Sequence, residues 1–389
     1  MLIGIDKIGF ATPKYQLKMT ELAMARDVDP AKYSEGLLLD ALSIAPISED
    51  IVTLAASAAQ SILTDDDKEK IDMVIVATES SIDQSKAAAV YVHALLGIQP
   101  FARSFEMKEA CYSATAALNY AKLHIEKSPT SRVLVIASDI AKYGIQSAGE
   151  PTQGAGSLAM LVTANPRILA FEDDNVAQTR DVMDFWRPNY SEVPFVNGMY
   201  STKQYLDSLT TTWAEYQKRT GLTMADFTAF CFHLPFPKLA LKGLNKLITK
   251  DLALPHQEQL KENFEHSIAY SKQVGNIYTG SLYLGLLSLL ENAKTLQAGD
   301  RLGFFSYGSG AVSEIFSGLL VEGFENQLSS TRQNDLDQRT PLSISEYEQL
   351  FFEQAQLDEN GSASFAEHQT NTFRLTGIEQ HQRQYSKVD

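Results

Sequence analysis

Four residues of this 389-residue chain have the types and settings that acyl-transfer chemistry needs: Cys111, Glu79, His233 and Asn276. Cys111 is one of only two cysteines, the other being Cys231. The run Phe101–Met107 before it reads as extended. After it, Ala114, Ala116, Ala117, Leu118, Tyr120, Ala121 and Leu123 put small or apolar groups on nearly every side, as in a buried helix. This pattern predicts that Cys111 sits where a strand turns into a helix N-terminus. Free N–H groups and the positive end of the helix dipole there would lower its pKa and favour the thiolate. A lone cysteine elsewhere would read as a small core residue.

Glu79 ends an apolar run, Asp72–Thr78, and His233 ends another, Phe227–Phe232. Gly275-Asn276 opens a second small and apolar helix that runs to Leu290. Each signal alone is weak. A glutamate at a strand end is usually solvated, a histidine near proline is usually a hydrogen-bonded loop residue, and an asparagine at a helix start is usually a cap. Together they offer a thiol to carry an acyl group, a carboxylate to move a proton, and two polar groups for developing negative charge.

The elements that must position these residues recur in the same order twice. In the first half, strands are expected at Leu2–Phe10, Asp72–Thr78, Arg132–Ser138 (ending in Asp139) and Ser157–Thr163. Helices are expected at Met19–Arg26, Ser48–Leu63 and Lys86–Leu96, and Asp65–Lys70 reads as a solvated charged turn. The second half offers helices at Tyr205–Thr220 and Pro237–Thr249, and strands at Phe227–Phe232, Arg301–Phe305 and Ala311–Val321. Strands buried on both faces and alternating with helices indicate an internally duplicated α/β chain. In such folds functional groups gather at strand C-termini. The expected division is 1–165, 166–325 and a structural extension, 326–389. The extension is rich in Gln, Ser, Asn and Glu and carries a capping box, Ser343–Glu346, before a helix.

Composition narrows the function. A net charge of −15 disfavours nucleic acid and anionic membrane as partners. Tyr278–Leu290 is too short and interrupted to span a bilayer. The N-terminus lacks the pattern of a cleaved leader. Two cysteines cannot build a disulfide framework, so a reducing cytoplasm is the simplest setting. Without a CxxC pair, an HExxH or a calcium loop, no metal is expected, and no dinucleotide or Walker motif is present.

The chain resembles the thiolase-like condensing enzymes and, among them, the 3-hydroxy-3-methylglutaryl-CoA synthases of the bacterial mevalonate pathway. The strings that carry the resemblance are Ile98–Arg103, Phe105–Tyr112, Gly149–Gly156, Asp184-Phe-Trp-Arg-Pro188, Gly275–Tyr283 and Phe305–Gly310. It extends from the N-terminus to about Tyr385. It implies five layers, αβαβα, a homodimer, and condensation of acetyl-CoA with acetoacetyl-CoA without a cofactor. By that resemblance, Cys111 takes the acetyl group, Glu79 removes a methyl proton, and His233 and Asn276 polarise the acceptor carbonyl. Asp29, Tyr143, Thr152, Ser201 and Ser309 would line the acyl pocket, with Asp139 and Asp184 orienting them. Lys238 and Lys242 would anchor CoA, unless they are simply a solvated helix face.

The chain departs from the family pattern at Leu38, Leu39 and Leu42, which replace a Gly, a Gln and a Met, at Asn197 for Asp, and at Leu241 for Lys. Leucines of Glu35–Ile44 need cover, and a dimer partner is the expected source. Competing readings are an initiating ketoacyl-ACP synthase, which has no need of Glu79, a Cys-His-Asn hydrolase, and an idle thiolase-like binding protein.

Overall fold

The computed structural model describes residues 1–191 and 193–388, so Asp389, the end of the 326–389 extension, lies outside them. The first half supplies β1 (Ile3–Ala11), α1 (Ile51–Gln60), β2 (Ile71–Ala77), α2 (Ala88–Leu96), β3 (Arg103–Met107), α3 (Ser113–Lys127), β4 (Arg132–Ala141) and β5 (Gly154–Ala164). The second supplies β6 (Leu169–Phe171), α4 (Gly198–Thr220), β7 (Ala229–Phe232), α5 (Pro237–Leu247), α6 (Leu254–Ile268), α7 (Ser281–Asn292), β8 (Arg301–Gly308) and β9 (Val312–Leu320).

The duplication is written in the strand pairing. In the first half β2 runs parallel to β4, β4 antiparallel to β5, and β5 antiparallel to β1. In the second, β7 runs parallel to β8, β8 antiparallel to β9, and β9 antiparallel to β6. The halves join edge to edge where β1 meets β6, with Gly4 opposite Ala170. A Cβ on Gly4 would fall 1.9 Å from the Leu169 carbonyl oxygen, so this close approach requires glycine.

Strand alternation builds the layers. Met73, Ile75, Val133, Val135, Leu302 and Phe304 face inward onto a central layer with Ala117 and Leu118 of α3 and Leu286 of α7. Val74, Val76, Leu134 and Ile136 face outward onto α1 and α2. Phe230, Phe232 and Phe305 face outward onto Leu209 of α4 and Leu244 of α5. The result is the thiolase-like αβαβα arrangement. The two layers of sheet place the C-terminal ends of β2 and β4 beside the start of α3, and the end of β7 beside β8.

Several local expectations change. Asp65–Lys70 is a short helix rather than a solvated turn, because Thr64 and Asp67 form a capping box and Asp67 is buried against Lys7. Asp139 lies within β4, not at its end. The 326–389 extension has its capped helix, Ile344–Phe352, but also a small sheet of strands Ala363–Ser364, Phe373–Glu379 and Gln382–Lys387. The leucines of 35–44 do not await a partner. Leu39 and Leu42 are 1 % and 0 % exposed within the subunit, among Leu17, Tyr33 and Tyr347. Leu38 takes the left-handed backbone (φ 62°) that glycine would adopt without strain, and its side chain is half-buried near the α5 layer.

Candidate active site

Cys111 and Glu79 come from different strand ends and meet in the interior: Cys111 Sγ lies 2.9 Å from Glu79 Oε1. Ala110, just before the cysteine, has φ 41°, a strained angle that turns the chain sharply between β3 and α3. Glu79 follows β2, where Thr78 and Ser80 flank it. All three bind one carboxylate oxygen. Asp139 Oδ1 accepts from Thr78 Oγ1 at 2.8 Å, Glu79 N at 2.9 Å and Ser80 Oγ at 2.8 Å. Its other oxygen accepts from Thr279 N at 3.2 Å, across the junction of the two halves. Asp139 therefore ties β2 to the start of the α7 region and fixes the base of Glu79.

The electrostatics overturn one expectation. The thiol is held well above its ordinary pKa, by burial first and then by the Glu79 charge and the hydrogen bond to it. The helix begins at Ser113, beyond the cysteine, and its first donors are already taken: Ser113 N binds Ala110 O and Ala114 N binds Thr279 Oγ1 at 2.7 Å. Among the described residues the N–H groups of Tyr112 to Ala116 are all engaged, so this row is not free to favour the thiolate. Burial and the Asp139 charge likewise push the Glu79 carboxyl up, to about 8. The resting pair is a neutral thiol beside a carboxyl poised to exchange a proton near neutrality.

Asn276 opens the second-half turn with its side-chain oxygen fully engaged and its amide partly so. Its Oδ1 accepts from Tyr278 N and Ser281 Oγ, and its Nδ2 donates to Tyr143 OH at 2.9 Å, leaving one amide hydrogen for a ligand. Thr152 meets the same turn through its carbonyl, which accepts from Asn276 N at 3.1 Å. Tyr143 packs edge-on against Phe185 and Tyr278. His233 is buried after β7, its backbone N–H on Phe305 O and its carbonyl accepting from Tyr205 OH at 2.8 Å. Its Nδ1 has no partner among the described residues. Burial lowers its pKa to about 3, so the ring is neutral and can offer an N–H without carrying charge.

The other expected residues are placed as follows. Asp184 is buried and accepts from Tyr307 OH at 2.6 Å and Gly310 N at 2.9 Å, next to Ser309. Ser309, Glu79, Phe185 and Tyr278 share the wall of a cleft of about 1060 Å³. Asp29 is exposed and caps the turn at Ala31 N. Ser201 lies in the first turns of α4. Lys238 and Lys242 lie on α5, half-buried and exposed respectively, without an ion pair among the described residues. These four make no described contact with Cys111. Sequence reasoning did not single out Arg187, Tyr278 or the trio Thr78, Ser80 and Thr279. Arg187 and Tyr278 fall inside strings quoted for the resemblance, but nothing local marks them, because their partners are distant in sequence.

The family model for the N-terminal domain of hydroxymethylglutaryl-coenzyme A synthase matches residues 2–167, and that for the C-terminal domain matches 171–269 and 255–388. The chain belongs to the hydroxymethylglutaryl-CoA synthase family. It is 57 % identical over 359 residues to hydroxymethylglutaryl-CoA synthase of Enterococcus faecalis, covering 92 % of this chain and 94 % of that protein. It is 31 % identical to the synthase of Haloferax volcanii, covering 89 % and 90 %. Among solved structures, an HMG-CoA synthase complexed with CoA superposes with a TM-score of 0.99 at 69 % identity, covering 100 % of both chains. MvaS in complex with 3-hydroxy-3-methylglutaryl coenzyme A gives 0.90 at 34 % identity, covering 100 % of this chain and 99 % of that one. No helix of the described residues is long and apolar enough to cross a membrane.

Proposed function

We propose that this protein condenses acetyl-CoA with acetoacetyl-CoA and water, giving 3-hydroxy-3-methylglutaryl-CoA and free CoA in the mevalonate pathway. The observation that carries the reading is the 2.9 Å contact between Cys111 Sγ and Glu79 Oε1. It puts a thiol and a base of matched position at one point. Membership of the synthase family supports the substrates.

Cys111 Sγ attacks the acetyl thioester carbon, the bond from that carbon to CoA sulfur breaks, and the thiol proton leaves with CoA as free thiol. The Glu79 carboxylate then takes a proton from the acetyl methyl, and the carbanion attacks the ketone carbon of acetoacetyl-CoA. The same carboxyl returns its proton to the new alkoxide. Neutral His233 and the free Asn276 N–H hold the carbonyl oxygens on which charge develops. Water then cleaves the Cys111 thioester.

Tyr143, Thr152, Ser309, Asp29 and Ser201 line the acyl pocket in this reading, and Asp139 and Asp184 orient it. Lys238 and Lys242 hold the anionic end of CoA, Lys238 from the first turn of α5. The functional unit is a cytoplasmic homodimer of chains divided at 1–165, 166–325 and 326–389, and the reaction needs no cofactor. The test is release of free thiol from acetyl-CoA. Slow release alone that rises steeply with acetoacetyl-CoA supports the reading. Release that ignores acetoacetyl-CoA would make the protein a hydrolase.

A further inference from the structure

Arg187 makes a contact that none of the proposed steps uses. Its Nη2 donates to the main-chain oxygen of Glu79 at 2.8 Å. The two residues also share the wall of the 1060 Å³ cleft. Arg187 is three residues past Asp184, whose carboxylate is fastened to Tyr307 OH and Gly310 N at the end of β8. Phe185, between them, packs on Tyr143 and Tyr278. The segment Asp184–Arg187 therefore spans from the end of β8 in one half to the end of β2 in the other, and Arg187 is its far anchor.

Lys86, Lys108 and Arg180 also line the cleft, but the other groups that act most strongly on the Glu79 carboxyl are acidic or neutral. Cys111 and Glu109 approach from the segment before α3, Asp139 from β4, and Tyr143 and Tyr278 from the two turns beyond. Arg187 supplies the opposing positive charge, and its effect is to hold the carboxyl lower than Asp139 and burial would leave it. A carboxyl that must accept a methyl proton works only when ionised, so a cation at its backbone widens the pH range in which it can act.

We infer that Arg187 is a positioning residue for the condensation step, clamping the main chain of Glu79 and placing a cation beside the carboxyl that takes the methyl proton. The inference rests on the reading of Glu79 as that base. Arg187 makes no hydrogen bond to Cys111 among the described residues, so acetyl transfer should not depend on it.

The experiment measures single-turnover condensation of preformed acetyl-enzyme with acetoacetyl-CoA across pH, for wild type, Arg187→Gln, Arg187→Lys and Glu79→Ala. Arg187→Gln should move the acid limb to higher pH by roughly half a unit to one unit, less than a fully buried pair would give because the guanidinium is exposed. Arg187→Lys, which keeps the charge, should leave the limb near wild type. Acetylation of Cys111 by acetyl-CoA should be unchanged in both. An unmoved limb in Arg187→Gln, or an equal shift in Arg187→Lys, overturns the role given to the arginine. Glu79→Ala condensing at the wild-type rate would instead overturn the reading of Glu79, whatever Arg187 does.

Discussion

Cys111 Sγ donates to Glu79 Oε1 across 2.9 Å, and this contact raises the pKa of the thiol while it lowers that of the carboxyl, which burial and Asp139 hold up. The nucleophile and the base are thus one unit. Neither residue is activated by the helix start that lies just beyond them.

Glu79→Ala should divide the reaction. Acetyl transfer to Cys111 requires no carbon acid and should persist. Condensation requires a base at the methyl and should fall by about two to four powers of ten. Rapid-quench analysis of acetyl-enzyme formation and of product formation reads the two steps independently. Condensation near the wild-type rate would make Glu79 structural.

Glu79→Gln should ease ionisation of the thiol. The glutamate charge and its hydrogen bond both hold Cys111 up, and the amide carries no charge. The pH at which iodoacetamide modifies Cys111 should therefore move down. Mapping the modified peptide distinguishes Cys111 from the buried Cys231. An unchanged or higher midpoint contradicts the coupling.

Asp139→Asn should act with the opposite sign to Arg187→Gln. The Asp139 charge raises Glu79, so its removal should move the acid limb of condensation to lower pH. The amide also cannot accept from Thr78, Glu79, Ser80 and Thr279 as the carboxylate does. The melting temperature should fall as buried donors lose partners. A lower melting temperature with an unmoved limb would reduce Asp139 to a purely structural tie.

Leu39→Gln should cost about 2–4 kcal/mol, because an amide replaces a leucine that is buried within its own subunit. Leu38→Gly should change stability by less than about 1 kcal/mol. Relief of the left-handed backbone offsets lost burial and added chain entropy. Thermal melting with sedimentation checks both. Loss of the dimer without loss of subunit stability would return these leucines to an interface.

The site's principal atoms were legible where chemistry coincided with an element boundary. Glu79 after β2, His233 after β7 and Asn276 before α7 all stand at ends marked by a change of hydrophobic pattern. The protonation of Cys111 was not legible. A helix start suggests free N–H groups, and only the fold reveals that Ala114 N is taken by Thr279, 165 positions away. Asp139 was read as a strand end because the apolar run stops there, yet pairing with β5 carries β4 on to Ala141. The strand Gln382–Lys387 escaped notice because polar residues dominate it, whereas Phe373–Glu379 carries a strand signal that was passed over, Phe373 and Leu375 alternating with Arg374 and Thr376. Their cover comes from Tyr385 and Phe373 packing beside α1 and α2. Leu38 shows the same limit from the other side. Its sequence position argued for a partner surface, whereas the burial of its neighbours is supplied by Leu17, Tyr33 and Tyr347 of its own chain.

The central claim is that Cys111 carries the acetyl group, and its most direct measurement is mass mapping of peptides after incubation with acetyl-CoA alone. The account predicts one added acetyl group on the peptide holding Cys111 in the wild type, and neither acetylation nor turnover in Cys111→Ser. An acetyl group mapped to another residue, or a Cys111→Ser protein that still condenses, would contradict it.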